Sequence, residues 1–343
     1  MGNVRLENCA KRNGNHQAAI ETTVIYMGQI ASNSTFSFKA YASDRRVLIE
    51  KRLEQYMSAN EPEKLWESMR YSVLSGGKRL RALLCLAAAE AILPNEDVAD
   101  LVLPCACAIE MVHAMSLIHD DLPSMDNDDL RRGKPTNHKV FGEAMALLAG
   151  DALLMLANEI LIEETPAKVD RNILLSVVKE LSIATGAHGM VGGQVEDMNF
   201  TGAFEQGHTN KEFVDEKILS SIHRRKTGAL ITFSIWSGAR LAGANERQLI
   251  DLKRFGEILG LAFQITDDLL DVTGDASTLG KTPGKDEATQ KATWVRLFGI
   301  EGSKQRLQEL ESEGLEILRS NNIESGSAPA LTELLKYAIH RVN

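Results

Sequence analysis

One stretch of this chain constrains its fold more than any other: a helix-like apolar run that ends in a cluster of acidic residues. From Asp120 to Gly133 the sequence places five aspartates and two adjacent arginines within fourteen positions. Crowded carboxylates repel one another and lose hydration when they are half-buried, so a fold keeps them only where a cation lies between them. The stretch therefore predicts a site with a divalent metal on one side and an anionic ligand on the other.

A second acidic cluster lies near the other end of the chain, at Asp267, Asp268 and Asp271. On a helix, positions 267 and 271 are one turn apart and position 268 lies beside both, so the three carboxylates are expected to share one face. Alone, such a pattern usually marks a solvated acidic face. Here the flanking positions from Leu259 to Leu270 are largely apolar, which indicates a core helix. Clustered oxygen ligands favour Mg²⁺, which holds one or two protein carboxylates and completes its shell with substrate phosphates.

The composition favours helices and argues against several classes of partner. Of 343 residues, 44% are hydrophobic but only 5% are aromatic, which suits helix-on-helix packing better than sheets. The net charge of −9 argues against general nucleic-acid binding, so any basic function must be local. The four cysteines have no CxxC spacing, which predicts reduced thiols. Because no run of about 18 uninterrupted apolar residues occurs, no membrane span is predicted.

Apolar spacing of the helical period begins at Phe38 and continues to the carboxyl terminus. The predicted helical runs are 38–56, 62–75, 78–93, 97–120, 138–163, 170–190, 211–242, 246–272, 290–298, 303–320 and 329–341. No segment alternates in polarity for long enough to predict a strand. Residues 1–35 lack the helical period, so we expect an amino-terminal extension there, either disordered or a transit segment, ahead of one domain over 36–343.

Basic residues recur at turns and helix ends. They are Lys78 and Arg81, Arg131 and Arg132, Lys226, and Lys281, Lys285 and Lys291. Each alone is more often surface charge than ligand. Together with the two acidic clusters they predict two diphosphate pockets, one bridged by Mg²⁺ and the other held by Lys and Arg alone.

Five motifs occur in order along the chain: Gly76-Gly77-Lys78-Arg79-Leu80-Arg81, the aspartate motif Asp120 to Asp126 with its continuation to His138, Gly192-Gly193-Gln194, Lys226-Thr227-Gly228, and Phe263-Gln264-Ile-Thr-Asp267-Asp268-Leu-Leu-Asp271. From about Phe38 onward the chain therefore resembles the trans-isoprenyl diphosphate synthases, and within them the short-chain geranylgeranyl diphosphate synthase group of plants, algae and bacteria. The resemblance implies an all-α fold, a bundle of antiparallel helices around a central deep cavity (the isoprenoid synthase fold), usually as a homodimer.

The resemblance also implies a prenyltransferase that condenses isopentenyl diphosphate with dimethylallyl, geranyl or farnesyl diphosphate. Catalysis would depend on Asp120, Asp126, Asp267 and Lys226. Three Mg²⁺ ions would be held among Asp120, Asp121, Asp126, Asp267, Asp268 and Asp271. Isopentenyl diphosphate would bind Lys78, Arg81, His113 and Arg132. The allylic diphosphate would bind Arg131, Lys226, Thr227, Gln264, Lys281 and Lys291.

Product length is expected to depend on what blocks the hydrocarbon tail beneath the first acidic motif. Met115 and Ser116 lie five and four residues before Asp120, roughly 6–8 Å below it at 1.5 Å per residue. Related enzymes that make farnesyl diphosphate carry an aromatic residue there. A thioether and a small hydroxyl leave room for another five-carbon unit, which predicts the C20 product. Farnesyl (C15) and C25 diphosphate are the alternative products.

Two rival functions stay open from the sequence. A terpene cyclase would share the helical fold and the first aspartate motif, but it would usually carry an Asn/Ser/Glu-type triad on its second metal helix and would need no second cationic pocket. A non-catalytic partner subunit of an active synthase would typically lose one acidic motif, whereas this chain keeps both. The extension at residues 1–35 favours the plastid stroma, with the cytoplasm as the alternative.

Overall fold

Helices dominate the computed structural model, which describes residues 36–201, 215–273, 293–320 and 329–341. The predicted all-α bundle is confirmed. The extension predicted at residues 1–35 lies outside the described residues, as do Lys281, Lys285 and Lys291, and the segment from Ala40 onward forms one unit.

The amino-terminal half contributes six helices and one small hairpin to the described residues. They are α1 (Phe38–Tyr56), α2 (Glu63–Val73), α3 (Leu80–Ile92), α4 (Ala99–Asp120), β1 (Leu130–Arg131), β2 (Lys134–Pro135), α5 (Asn137–Phe141) and α6 (Glu143–Glu163). The two strands pair antiparallel, with Arg131 opposite Lys134. Alternation in polarity does not reveal strands of two residues, so the expectation of no strand was wrong here. The single helix predicted over 138–163 is divided at Gly142, whose φ of 86° is outside the helical region.

The carboxyl-terminal half is helical throughout its described residues. Its elements are α7 (Arg171–Thr185), α8 (Met190–Thr201), α9 (Glu216–His223), a π-helical turn (Arg224–Gly228), α10 (Ala229–Leu241), α11 (Glu246–Thr273), α12 (Trp294–Ser320) and α13 (Pro329–His340). The sequence did not predict α8, because its glycines and polar residues weaken the apolar period. Two helices were predicted where α12 is assigned as one element, although Gly299, with a φ of 71°, interrupts the helical backbone inside it.

Small residues let the central helices approach closely. The alanine-rich α3 packs against α4 and α10, and α4 also packs against α6. At Gly238 on α10 a Cβ atom would overlap the backbone carbonyl oxygen of Cys85 on α3, so only glycine fits this crossing. The predicted thiols Cys85, Cys105 and Cys107 are free and buried in this core.

Two helices, α4 and α6, are long and apolar enough to cross a bilayer by length and composition alone. In α4 the apolar window is 83% buried, which makes it the core helix of the bundle, whereas in α6 only 39% of the window is buried. The exposed side of α6 carries Leu147, Leu148, Met155 and Ile162, each about half exposed or more. The exposed acidic residues Asp151 and Glu159 lie among these side chains, so the apolar strip is interrupted by two charges. Exposed apolar side chains clustered on one helix face are typical of a protein–protein contact.

Candidate active site

The first acidic motif lies where α4 ends and the chain turns back. Asp120 is the last residue of α4, and its carbonyl oxygen accepts a hydrogen bond of 2.8 Å from the backbone nitrogen of Asp126. Burial and the charge of Asp126 raise the pKa of the Asp120 carboxyl to about 6, although Lys226 acts in the opposite direction. The carboxylates of Asp120 and Asp126 and the ammonium group of Lys226, which is distant in sequence, therefore lie close enough for their charges to interact.

Asp121 has a cationic partner of its own. Its carboxylate is buried and accepts a hydrogen bond of 3.1 Å from Arg131 Nε, and a second, shorter one from Arg131 Nη2. Arg131 also lies 3.4 Å from the carboxylate of Asp128. This ion pair ties the hairpin to the end of α4, so the expectation that Asp121 binds metal receives no support from its surroundings.

The second acidic motif presents its carboxylates to different neighbours. The Asp267 side chain is 44% exposed and forms an ion pair of 2.8 Å with Arg341. Asp268 is buried, accepts a hydrogen bond of 2.7 Å from the backbone nitrogen of Trp294 at the start of α12, and lies 3.8 Å from His223 Nε2. Adjacent helical residues point about 100° apart. Asp267 is therefore partly open to solvent beside Arg341, while Asp268 joins α11 to α12.

Lys226 and Thr227 lie in the π-helical turn, a rare element that often marks functional positions. Lys226 Nζ forms an ion pair of 2.6 Å with Asp197 on α8. Beneath the turn, a Cβ atom at Gly193 would overlap the backbone nitrogen of Lys226. The motif containing Gly193 thus lets α8 approach the lysine closely. Sequence reasoning missed Asp197, whose only local signal is its position three residues after Gln194.

The predicted isopentenyl pocket brings together cations from two loops. Arg132 donates hydrogen bonds to the carbonyl oxygen of Gly76 and, at 3.3 Å, to Ser75 Oγ. Burial, together with the positive charges of Arg81 and Arg132, holds the pKa of His113 well below its usual range. The histidine is therefore neutral at pH 7.

The cations of this pocket lack acidic partners among the residues that the structure describes. Arg81 Nε is buried without a hydrogen-bond partner there, and neither Lys78, Arg81 nor Arg132 forms an ion pair with a described carboxylate. The Lys78 ammonium group lies 5.4 Å from the ring centre of Tyr337 on α13. Arg81 is half-buried, whereas Lys78 and Arg132 are exposed. Cations without an ion-pair partner in the described chain fit an anionic ligand that is bound from outside the chain.

Arg341, just beyond α13, was not predicted from the sequence. Its guanidinium lies 3.7 Å from the ring centre of Phe263, and its Nη2 donates a hydrogen bond of 2.7 Å to the Phe263 carbonyl oxygen. Because it also pairs with Asp267, it links the carboxyl terminus to the second acidic motif. No local pattern marks an isolated arginine whose partners are so distant in sequence.

The remaining predicted residues lie on α4 and α11 or outside the described ranges. Met115 is buried on α4 with 4% exposure, and Ser116 is half-buried, its hydroxyl donating 2.9 Å to the His113 carbonyl oxygen. Gln264 donates a hydrogen bond of 3.4 Å to Asp267, and Asp271 is half-buried on α11. Lys281 and Lys291 lie outside the described residues.

Within the described ranges, no three His, Cys, Asp or Glu side chains converge closely enough to form a metal site by themselves. Mg²⁺ typically uses only one or two protein carboxylates and takes its other ligands from phosphate and water. Asp120 with Asp126, and Asp267 on the second acidic motif, fit that pattern of incomplete protein coordination. Their oxygen-only chemistry suits a hard divalent cation.

Comparison with known proteins identifies the family. Residues 62–325 match the polyprenyl synthetase family model. The chain is 48% identical over 282 residues to a dimethylallyltranstransferase of Fischerella ambigua, covering 82% of this chain and 78% of that protein. It is 46% identical over 313 residues to a chloroplastic geranylgeranyl pyrophosphate synthase of Catharanthus roseus, covering 91% and 84%.

A solved structure agrees with the sequence relatives. The apo crystal structure of an FPP/GFPP synthase from Zymomonas mobilis superposes with a TM-score of 0.76 at 36% identity, covering 88% of this chain and 98% of that one. The chain therefore belongs to the polyprenyl synthetase family, the trans-isoprenyl diphosphate synthases. It is a prenyltransferase.

The different surroundings of Asp267 and Asp268 predict different effects of the same substitution. Asp267→Asn removes a proposed metal ligand. It should raise the Mg²⁺ concentration that gives the half-maximal rate by at least about tenfold. Asp268→Asn keeps an oxygen that can accept from the Trp294 backbone nitrogen, so its Mg²⁺ dependence should stay close to that of the unchanged protein. Initial rates measured across a Mg²⁺ titration test this.

Asp268→Ala serves as the companion variant. It leaves a buried N–H without an acceptor, at a cost of about 1–3 kcal/mol. The thermal unfolding midpoint should fall for Asp268→Ala but not for Asp267→Asn. Equal losses of Mg²⁺ dependence in Asp267→Asn and Asp268→Asn would instead place both residues among the metal ligands.

Proposed function

We propose that this protein condenses isopentenyl diphosphate with an allylic diphosphate to make geranylgeranyl diphosphate, the C20 product. One observation carries the proposal: an acidic motif and the cationic pocket lie side by side. Asp267 lies close enough to Arg81 to act on its charge. The metal-facing motif and the cationic pocket thus adjoin, as a reaction between two diphosphate substrates requires.

The allylic substrate is assigned to the side of Asp120, Asp126 and Asp267. Lys226 lies near Asp120, and Arg131 offers further N–H donors beyond those used by Asp121, so both can hold diphosphate oxygens. Thr227 and Gln264 lie beside them on the π-helical turn and on α11. Asp121 and Asp268 are not assigned to metal here, because their side chains are buried against Arg131 and the Trp294 backbone nitrogen. Asp267 also pairs with Arg341, but its side chain is 44% exposed.

Isopentenyl diphosphate is assigned to Lys78, Arg81, His113 and Arg132. The arginines can bind phosphate oxygens bidentately, and a neutral His113 can donate one hydrogen bond without adding charge. The apolar walls of the bundle exclude water from the allylic cation that forms when the C–O bond breaks. The double bond of isopentenyl diphosphate then attacks that cation, and loss of a proton completes a chain five carbons longer.

Mg²⁺ is the cofactor that the donor set favours, with three ions expected. Asp120, Asp126 and Asp267 would hold them. When bound, the metal supplies positive charge that stabilises the departing diphosphate.

The experiment that tests the proposal is a product analysis of the purified protein. It is incubated with Mg²⁺, isopentenyl diphosphate and each allylic primer in turn, and the diphosphates are separated by chain length. Geranylgeranyl diphosphate supports the proposal, and farnesyl or C25 diphosphate would contradict the product. A cyclised hydrocarbon would indicate a terpene cyclase, and no turnover without a second chain would indicate a partner subunit.

We place the protein in the plastid stroma, with the cytoplasm as the alternative. The Catharanthus relative is named chloroplastic, whereas the Fischerella relative is bacterial, so relatives of both kinds exist at similar identity. Import of residues 1–60 fused to a fluorescent protein into isolated chloroplasts decides between the two compartments.

A homodimer is proposed because α6 exposes apolar residues along one face. From Leu147 to Ile162 this strip is about 22 Å long at 1.5 Å per residue. Leu148 is 55% exposed and Met155 is 66% exposed, values that a second copy of the same helix could reduce by packing face to face. A stable interface of about 800 Å² per partner requires further contacts, which Leu175 on α7 and Val191 on α8 can extend.

The floor of the product tunnel is tested by adding bulk beneath Asp120. Met115→Tyr and Ser116→Phe should each shift the main product toward C15, because an aromatic ring there blocks the growing tail. The chain-length distribution is measured by chromatography of the dephosphorylated products. Val47→Tyr, at an exposed position of α1, is the control and should leave the distribution unchanged. An unaltered product in both tunnel variants would show that these residues do not set its length.

The dimer is tested by placing charge in the apolar strip. Leu148→Glu combined with Met155→Glu should convert the dimer to a monomer, because burying two glutamates without partners is costly. Light scattering after size-exclusion chromatography gives the mass. Ile250→Glu, on an exposed face of α11, should leave the mass unchanged. A dimer that persists in the double variant would rule out this strip as the interface.

A further inference from the structure

We infer that Arg79 and Glu110 form a buried positioning pair that sets the geometry of the isopentenyl diphosphate pocket. The inference rests on the proposed function, in which Lys78 and Arg81 hold that diphosphate. Arg79 stands between these two residues in the sequence, and no role was assigned to it from the motif.

The backbone at Arg79 has an unusual conformation. Its φ of 51° and ψ of 34° are left-handed, a conformation that is strained for a residue other than glycine. The surroundings hold it there: the side chain is only 2% exposed, and its Nε and Nη2 donate to the Glu50 carboxylate on α1 at 2.8 and 3.0 Å. Nη2 also donates to the carbonyl oxygen of Val73, at the end of α2, at 2.7 Å.

The left-handed residue separates the directions of its neighbours. Arg79 points into the bundle, whereas Lys78 is exposed and lies against Tyr337. The helix α3 starts immediately afterwards, so Arg81 is in its first turn. The conformation of Arg79 therefore decides how Lys78 and Arg81 are placed relative to each other.

Glu110 fixes the same turn from the opposite side. It is 3% exposed on α4, and its Oε2 lies 3.4 Å from Arg79 Nη1. Its Oε1 accepts a hydrogen bond of 3.2 Å from the backbone nitrogen of Ala82. Arg79, the residue before α3, does not cap the helix with its own side chain, so the Glu110 carboxylate from α4 serves as the cap. One buried glutamate thus sets the position of the turn that carries Arg81.

The same helix face also places His113. It lies three residues after Glu110 on α4, close to one helical turn further on. From the other loop, the Arg132 guanidinium lies against Gly77, where a Cβ atom would be 2.8 Å from Nη1. The positions of all four predicted ligands of isopentenyl diphosphate therefore depend on the turn that Arg79 and Glu110 hold.

Stability alone does not explain this pair. Replacing a buried ion pair by apolar residues of similar volume is often neutral or stabilising, whereas removing one partner is costly. The double variant Arg79→Met/Glu110→Leu is therefore expected to fold. Glu50, whose side chain is 29% exposed, can be solvated once Arg79 is gone. What the double variant loses is the left-handed turn and the cap on α3.

The test compares Michaelis constants for the two substrates. The double variant should raise the KM for isopentenyl diphosphate by about tenfold or more and leave the KM for the allylic primer within about twofold. Glu110→Gln keeps an oxygen that can accept from Ala82, so it should retain a KM for isopentenyl diphosphate closer to that of the unchanged protein than Glu110→Leu does. Thermal unfolding midpoints are recorded for every variant.

Arg45 and Glu90 supply the matched control. They form an ion pair of 2.6 Å between α1 and α3, which the Arg79–Glu50 contact also joins, but away from the 76–81 loop. Arg45→Met/Glu90→Leu should leave both Michaelis constants unchanged. A similar rise of both constants in the Arg79/Glu110 double variant, or no rise in either, would overturn the positioning role.

A further variant separates this inference from the proposed function. Arg81→Met removes a proposed ligand directly and should raise the KM for isopentenyl diphosphate. If it does not, the assignment of the pocket to isopentenyl diphosphate is wrong. If Arg81→Met raises the constant and Arg79→Met/Glu110→Leu does not, the pocket stands and the positioning pair is wrong.

Discussion

Half-buried charge without enough counter-charge is the constraint on which this structure depends. In water the carboxylate of Asp120 would ionise readily, but at the end of a core helix its charge is opposed by burial and by Asp126. At the start of α3, Arg81 keeps a buried nitrogen without a hydrogen-bond partner among the described residues. A chain that keeps both signs of unbalanced charge needs cations at one motif and anions at the other. Prenyl diphosphate substrates with Mg²⁺ satisfy both needs together.

Several charged side chains of the site are also paired within the chain. Asp121 with Arg131, Lys226 with Asp197, and Arg79 with Glu110 are paired within the chain, and each pair joins elements that are distant in sequence. These pairs are largely buried from water, and they hold neighbouring groups in place. Within a single motif, one charged residue can therefore be structural while the residue beside it faces the site.

Much of the fold could be predicted because helices leave a periodic record in the sequence. The run at 246–272 closely matches the observed α11, and the run at 97–120 matches α4. The errors have local causes. Gly142 takes a left-handed conformation that divides one predicted helix, and α8 lacks a clear apolar period because it serves glycine-mediated packing against the Lys226 turn. A hairpin with strands of two residues gives no alternating pattern to detect.

The sequence by itself determined the helical class, the two acidic motifs, the basic loops and the family, because these depend on residue type and spacing along the chain. Only the tertiary structure decided which member of each charged pair faces the site. Residues 267 and 268 are adjacent, yet one meets Arg341 and the other meets the start of α12. Likewise Arg79 and Arg81 differ by half a helical turn, and one is buried against Glu110. Such choices depend on neighbours that come from other helices, and no local pattern records them.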